Sequence, residues 1–312
     1  MSRVHPNQPP SCPVMRRPAF TLTAGARRIE LGETTRIMGV VNVTPDSFSD
    51  GGRFFSADDA VAQAMRLVRE GADIIDVGGE STRPFSDFVS EQEETRRVVP
   101  VIRALAERID VPISIDTNKA GVARAAIEAG ATILNDVGAL RLDPLMPGVA
   151  AEFGVPVIVM HMLGTPKTMQ KAPVYENLFG EIHDFLAEAV GRALDAGVSR
   201  SQIVIDPGIG FGKTVTHNLM LLGDLSKLRE LQAPILIGPS RKAFIRKLLK
   251  PPDQTDISTD LPIVETGTQA AVTAAVLAGA HILRVHDVAQ TAATVRILDA
   301  LRNAVESEQD KI

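Results

Sequence analysis

Along most of the chain a short run of apolar, often β-branched residues ends in a polar side chain or glycine, and a longer segment with helical spacing follows. The pattern recurs eight times. The runs are IMGVVNV from Ile37, DIIDVG from Asp73, PISID from Pro112, TILND from Thr132, VPVIVMH from Val155, QIVID from Gln202, APILIG from Ala233 and HILRVHD from His281. They do not alternate apolar with polar residues, which predicts parallel strands covered on both faces. The segments between them carry helix punctuation. Ser56 with Asp59 reads as a capping box, Val61, Met65 and Val68 make an apolar stripe, and Gly71 offers a stop. Asp287 with Gln290 opens the last helix, whose Val295, Leu298 and Leu301 share a face before a polar tail from about Arg302. The insert KPPDQTDISTDLP from Lys250 reads as a surface loop.

Eight β-then-α units can close into a barrel or lie open as a doubly wound sheet, and repeat counting does not decide between them. We read the fold as α/β, a single (β/α)8 TIM barrel, because its right-handed crossovers gather every strand's carboxyl end on one chemical face. Two short alternating segments around Ala24 and Gly25, from Phe20 to Leu31, predict an N-terminal β-hairpin that closes one barrel end. Residues 1–18, with Pro6, Pro9, Pro10, Pro13 and Pro18, read as a disordered leader, residues 19–303 as the barrel, and residues 304–312 as a polar C-terminal tail.

Composition narrows the function classes. The chain has 312 residues, 45% of them hydrophobic and 23% charged, ordinary for a globular protein with a sizeable core. A formal charge of -5 provides no basic field for nucleic acid or an anionic membrane, so neither is expected as a partner. The single cysteine, Cys12, cannot form an internal disulfide. With no signal-peptide core and no apolar run of about 18 residues, the expected location is the cytoplasm.

The strand ends supply Asn42, Asp76, Asp116, Asn135, Asp136, His161, Asp206, Arg284 and His286, groups that are costly beside a core unless paired or used. Any one Asp or Asn can simply cap the next helix. As a set they suit a flat heterocycle rich in N–H donors and acceptors, held by paired hydrogen bonds. Arg83, Lys213, Arg241, Lys242, Arg284 and His286 add an anion and leaving-group site, although Lys213 fits a solvated surface charge equally well. Ser240, after the seventh strand, can cap the following helix and bring its N–H groups to an anion. GIGFGK lacks P-loop spacing and no GxGxxG occurs, which argues against nucleotide binding. His161 lies between two methionines with no paired ligand spacing, so a structural role is expected there and no zinc.

Taken together, MGVVNVTPDSFSDGG from Met38, DVGGESTRP from Asp76, SIDT from Ser114, LND from Leu134, MHMLGTPKTMQ from Met160, DPGIGFGK from Asp206, GPSRK from Gly238 and RVHD from Arg284 resemble the motifs of dihydropteroate synthases, in the same order. The resemblance runs from about Ile37 to Leu301 and implies a folate-biosynthetic transferase. Such an enzyme condenses 6-hydroxymethyl-7,8-dihydropterin pyrophosphate with p-aminobenzoate, giving 7,8-dihydropteroate and pyrophosphate. It further implies that Asp116, Asn135, Asp206 and Lys242 bind the pterin, with Arg284 packed on its face. Asp116, Asp206, Lys242 and Arg284 are the implied catalytic set. Asn42 would help to hold Mg2+ and pyrophosphate, with Arg83, Arg284 and His286 as further phosphate contacts. Thr82, Pro84, Phe211, Ser240 and Lys242 would form the p-aminobenzoate pocket. Loops 44–52 and 80–90 are expected to close over the substrates, and a homodimer is implied. Phe85 and Arg246 depart from the family by standing where it usually has small, glycine-like residues. The rival readings are a pterin-dependent methyltransferase, disfavoured by NVTPDSFSDGG and GPSRK, and a non-catalytic pterin-binding module.

Overall fold

The computed structural model describes residues 17–44, 57–80, 88–164, 169 and 173–309. A hairpin of β1 (Phe20–Ala24) and β2 (Arg27–Leu31) opens the chain, paired antiparallel from Phe20↔Leu31 to Ala24↔Arg27. Eight parallel strands follow: β3 (Arg36–Asn42), β4 (Ile74–Gly78), β5 (Ile113–Asp116), β6 (Ile133–Asp136), β7 (Val157–Met160), β8 (Ile203–Asp206), β9 (Leu236–Ile237) and β10 (Ile282–Val285). Each strand pairs with the next in sequence from β3 to β8, while β10 pairs with both β9 and β3. The ring closes between β8 and β9 through a single parallel bridge, Ile205↔Ile235, and an Ile205 N–H that donates to the Pro234 carbonyl at 3.0 Å. The open-sheet alternative is thereby excluded.

Around the barrel lie α1 (Ala57–Glu70), α2 (Glu91–Ala106), α3 (Ala120–Glu128), α4 (Met146–Phe153), α5 (Leu178–Asp195) and α6 (Val215–Gly223), then α7 (Ala243–Leu249) and α8 (Pro262–Ala278) after β9, and α9 (Val288–Gln309). As expected, the Gln290 N–H donates to the Asp287 carboxylate at the start of α9, 3.0 Å. The helix runs on to Gln309, through residues read as the polar tail. Ser56 of the expected first capping box lies outside the described residues. No helix among the described residues is long and apolar enough to cross a membrane.

The strands carry two apolar layers, which is why their sequences show no alternation. Outward residues such as Ile75, Ile115, Leu134, Val159, Ile205 and Leu283 pack under the helices in the main core. Inward residues Met38, Ile74, Ile133, Ile158, Val204, Leu236 and Ile282 meet Leu22, Ala24, Ile29 and Leu31 of the hairpin in a second cluster. The hairpin therefore plugs the amino end of the barrel, as the sequence predicts. Gln202 clamps it there, donating to the Thr23 carbonyl at 2.7 Å and accepting the Thr23 N–H at 2.9 Å. Arg17, assigned to the leader by the sequence reading, is also buried at this end. It donates to the carbonyls of Gly32 and Ala280, to the Thr35 hydroxyl, and to Asp299 of α9 at 3.3 Å.

Candidate active site

Side chains two apart on a strand share a face. From the inward Ile74, Ile133, Val204 and Ile282, that spacing turns Asp76, Asn135, Asp206 and Arg284 into the barrel, nearer its carboxyl end. Asp116 joins them from β5, whose Ile113 and Ile115 face the helices. The amino half of the barrel interior is thus hydrocarbon and the carboxyl half is charged.

At the centre, Arg284 Nε donates to Asp76 Oδ2 and its Nη2 to Asp116 Oδ2, both at 2.6 Å. The Asn135 amide adds a bond to Asp76 Oδ2 at 3.1 Å. The other oxygens, Asp76 Oδ1 and Asp116 Oδ1, are buried and have no hydrogen-bond partner among the described residues, and neither has the Ser114 hydroxyl below them. Buried acceptors of this kind are few in native proteins and call for a donor. Burial pushes the Asp116 carboxyl up to about 7, against the pull of Arg284 and with the repulsion of Asp76. Burial likewise raises Asp206 to about 6, opposed by the Gly208 N–H, which donates to its Oδ1 at 2.7 Å, and by Lys242. For Arg284, burial works against the charge, but Asp76 and Asp116 outweigh it and hold the guanidinium pKa above its usual value.

These groups line a cleft whose polar side is Asp116, Asn135, Asp206, Lys242, Arg284 and His286. Val137, Met160, Ile209 and Phe211 form the apolar side, and Val137, Met160 and Phe211 belong to a small hydrophobic cluster of their own with Met162 and Met169. The Lys242 ammonium sits 4.0 Å from the centre of the Phe211 ring, a cation–π contact at the boundary between the two sides. Ser240 also lines the cleft. Its hydroxyl does not cap α7; instead it accepts the His286 N–H at 3.2 Å and meets His286 Nδ1 at 3.0 Å. The helix that follows is only Ala243–Leu249, and its N-cap, Lys242, makes no side-chain cap bond.

The loop after β8 packs closely against the one after β7. Gly208 has φ 71°, and a Cβ there would collide with the His161 carbonyl; at Gly212, φ 63°, a Cβ would press against Leu163. Lys213 ends this loop buried, not solvated, and its ammonium donates to His161 Nδ1 at 2.9 Å and to the Phe211 carbonyl at 3.0 Å. Burial lowers Lys213 to about 7 and His161 to about 2, so the imidazole is a neutral acceptor. His161 stacks edge-on against Phe185 at 4.7 Å, the structural role expected for it. Asp136 is used locally: its carboxylate accepts the Gly138 and Leu140 N–H groups at 2.7 Å in a turn where Ala139 and Leu140 have positive φ.

Asp116, Asn135, Asp206, Phe211, Ser240, Lys242, Arg284 and His286 are therefore gathered in one cleft. Asn42 ends β3 on the inward face set by Met38, beside Gly78, but is not among the residues lining the cleft. Thr82, Arg83, Pro84 and Phe85, and most of the loops expected to close, lie outside the described residues. Arg241 points away toward Asp260, at 3.2 Å. The sequence reading places Asp76 in the strand-end set suited to a flat heterocycle but gives it no role of its own, although its two-residue spacing from Ile74 was visible there.

Residues 38–286 match the pterin binding enzyme family. The dihydropteroate synthase of Synechocystis sp. is 45% identical over 280 residues, covering 90% of this chain and 94% of that protein. The Escherichia coli (strain K12) dihydropteroate synthase is 44% identical over 273 residues, 88% of this chain and 94% of that protein. Among solved structures, the Yersinia pestis dihydropteroate synthase with a sulfonamide drug complex superposes with a TM-score of 0.83 at 42% identity, covering 91% of this chain and 100% of that one. Xanthomonas albilineans dihydropteroate synthase with 4-aminobenzoic acid gives 0.81 at 42% identity, covering 91% and 99%.

Proposed function

The chain belongs to the pterin binding enzyme family, and from that premise we propose that it works as a dihydropteroate synthase, joining a dihydropterin pyrophosphate to p-aminobenzoate. The observation that carries the reading is the pair of buried carboxylates, Asp76 and Asp116, each with one oxygen lacking a donor among the described residues, at the base of a cleft lined by Asn135, Asp206 and Lys242. A pterin edge presents adjacent N–H donors and ring acceptors, and such a set of partners fixes a planar ring in one orientation.

In the proposed mechanism Asp116, Asn135, Asp206 and Lys242 hold the pterin edge, and Arg284 packs on its face. The carbon–oxygen bond between the pterin methylene and pyrophosphate breaks, and the arylamine nitrogen supplies the electron pair of the new carbon–nitrogen bond. The nitrogen then loses a proton. The carboxylates stabilise positive charge developing on the pterin, while Arg284 and His286, with Arg83, meet the departing pyrophosphate. Phe211, Ser240 and Lys242, with Thr82 and Pro84, form the p-aminobenzoate pocket. No protein nucleophile is needed.

Asn42 brings one uncharged, hard oxygen to the inward face, and among the described residues no three His, Cys, Asp or Glu side chains gather around a point. That donor set suits Mg2+, which keeps its own waters and is completed by substrate phosphates. Held by Asn42, Mg2+ would offset the charge of the pyrophosphate leaving group. The proposed compartment is the cytoplasm, where a lone Cys12 stays reduced. The proposed homodimer has an apolar surface available in the exposed Leu219 and Met220 of α6, Leu248 of α7 and Ile263 of α8.

The test is pyrophosphate release with both substrates present. Wild type should release pyrophosphate only when pterin pyrophosphate and p-aminobenzoate are combined. Asp206→Ala or Lys242→Ala should lower turnover by about two to three orders of magnitude with an unchanged melting profile. Full turnover in either variant contradicts the assignment.

A further inference from the structure

Between Ser240 and Lys242, both on the cleft, stands Arg241 in the left-handed region at φ 59°. A bulky residue is strained there and persists only where the surroundings hold it. Three sets of contacts do so. The Arg241 N–H donates to the Thr268 hydroxyl at 3.1 Å, and that hydroxyl, fully buried in α8, donates to the Val264 carbonyl. The Arg241 carbonyl accepts Arg246 Nη1 at 2.9 Å. Its side chain binds Asp260 at 3.2 Å and lies 3.8 Å from Glu265.

Arg246 is fixed in turn by the insert that follows α7. Its Nε and Nη2 donate to the two oxygens of Asp256 at 3.0 and 2.9 Å, a bidentate pair that leaves Nη1 for Arg241. The Arg246 side chain is 18% exposed although Asp256 is 53% exposed, so the fork lies against the body of the protein. Asp256 also accepts the Ile257 N–H at 2.9 Å, which shapes the insert around the pair. Neither Arg246 nor Asp256 lines the cleft.

We infer that Arg246, braced by Asp256, is a positioning residue for the arylamine acid: by gripping the Arg241 carbonyl it keeps residue 241 left-handed and so aims the Ser240 hydroxyl and the Lys242 ammonium into the cleft. The inference rests on the proposed p-aminobenzoate pocket at Ser240 and Lys242. It gives the 250–262 insert a task. A planar guanidinium meets two carboxylate oxygens and one carbonyl at once, which an ammonium of similar reach cannot do.

The experiment uses Arg246→Ala, Arg246→Lys and Asp256→Ala in the full chain, assayed well below the melting temperature of each. Turnover is followed against p-aminobenzoate with the pterin pyrophosphate saturating. Calorimetry measures pterin affinity separately, and p-aminobenzoate affinity in the presence of pterin and pyrophosphate. The expected result is a roughly three- to thirtyfold rise in KM and Kd for p-aminobenzoate with Arg246→Ala, the range for a partly exposed charged hydrogen bond, with pterin affinity unchanged. Arg246→Lys should recover only part of the loss, and Asp256→Ala should shift KM in the same direction. Unchanged p-aminobenzoate affinity in Arg246→Ala overturns the inference. So does an equal loss of pterin and p-aminobenzoate affinity, which marks a merely structural role. A wild type that binds both ligands yet forms no product refutes the synthase reading, while the affinities still decide the role of Arg246.

Discussion

Asp116 and Asp206 carry their carboxyl groups at about 7 and about 6, both raised chiefly by burial, so near pH 6.5 an empty site holds part of a proton on each. In the proposed pterin site the ring's N–H donors favour the ionised form, so binding should expel protons and strengthen as pH rises toward 7, levelling off above it. Calorimetry at pH 6.5 in two buffers of different ionisation enthalpy should show net proton release, and Asp116→Asn should reduce it. Heats independent of the buffer would remove these carboxyls from pterin binding. Asp116, Asn135, Asp206 and Arg284 were legible in the sequence because each ends an apolar run. Asp76 was equally visible as a strand end, but its place at the base of the cleft depends on Arg284 and Asn135 reaching it from distant strands. Nor could Lys213 be read as buried, because its acceptor His161 lies on another loop. The turning of Ser240 toward His286 is likewise set by tertiary contact and not by local cap preference.

The hairpin β1–β2 shows how an element far from the chemistry supports it. Its Leu22 and Leu31, 1% and 2% exposed, fill the amino mouth against the first inward residues of the strands. Leu22→Ala is expected to cost about 2–5 kcal/mol in urea unfolding, the range for emptying a packed core site. Turnover per folded molecule should stay as in wild type, because the cleft is at the opposite end; a parallel loss of kcat would show that the plug reaches the site. The strand–helix repeats could be read because each apolar run was short and punctuated. Their register could not be read directly, since both faces of these strands are apolar and only the polar residue at the end reveals which face turns inward. The last helix outruns its apolar face. Its apolar stripe stops near Leu301, yet the backbone stays helical to Gln309, since a helix already nucleated can continue through good helix formers such as the Glu and Gln residues there.

In the whole molecule the eight strands are not joined equally. Strands β3 to β8 share continuous ladders, and β9 is held by β10, but β8 meets β9 through one bridge and the Ile205 amide. The Ile205 amide should therefore exchange with solvent faster than those of Ile75 and Leu134, which donate to Pro112 and Pro156 within unbroken ladders. Exchange at all three at one common rate would mean that this side of the ring opens only with global unfolding. The repeat count left ring and open sheet both possible, and it was the gathering of polar strand ends on one rim by right-handed crossovers that favoured the ring; this thin side was not legible, because β9 has only two paired residues in an apolar run of ordinary appearance. Asp206 stands on one side of the join and Lys242 on the other. In the proposed binding mode a pterin would grip both and rivet the weakest part of the wall, so the Ile205 amide should become slow once substrate is in place. On that proposal the molecule would be most tightly shut while its cargo is aboard and would loosen when product leaves.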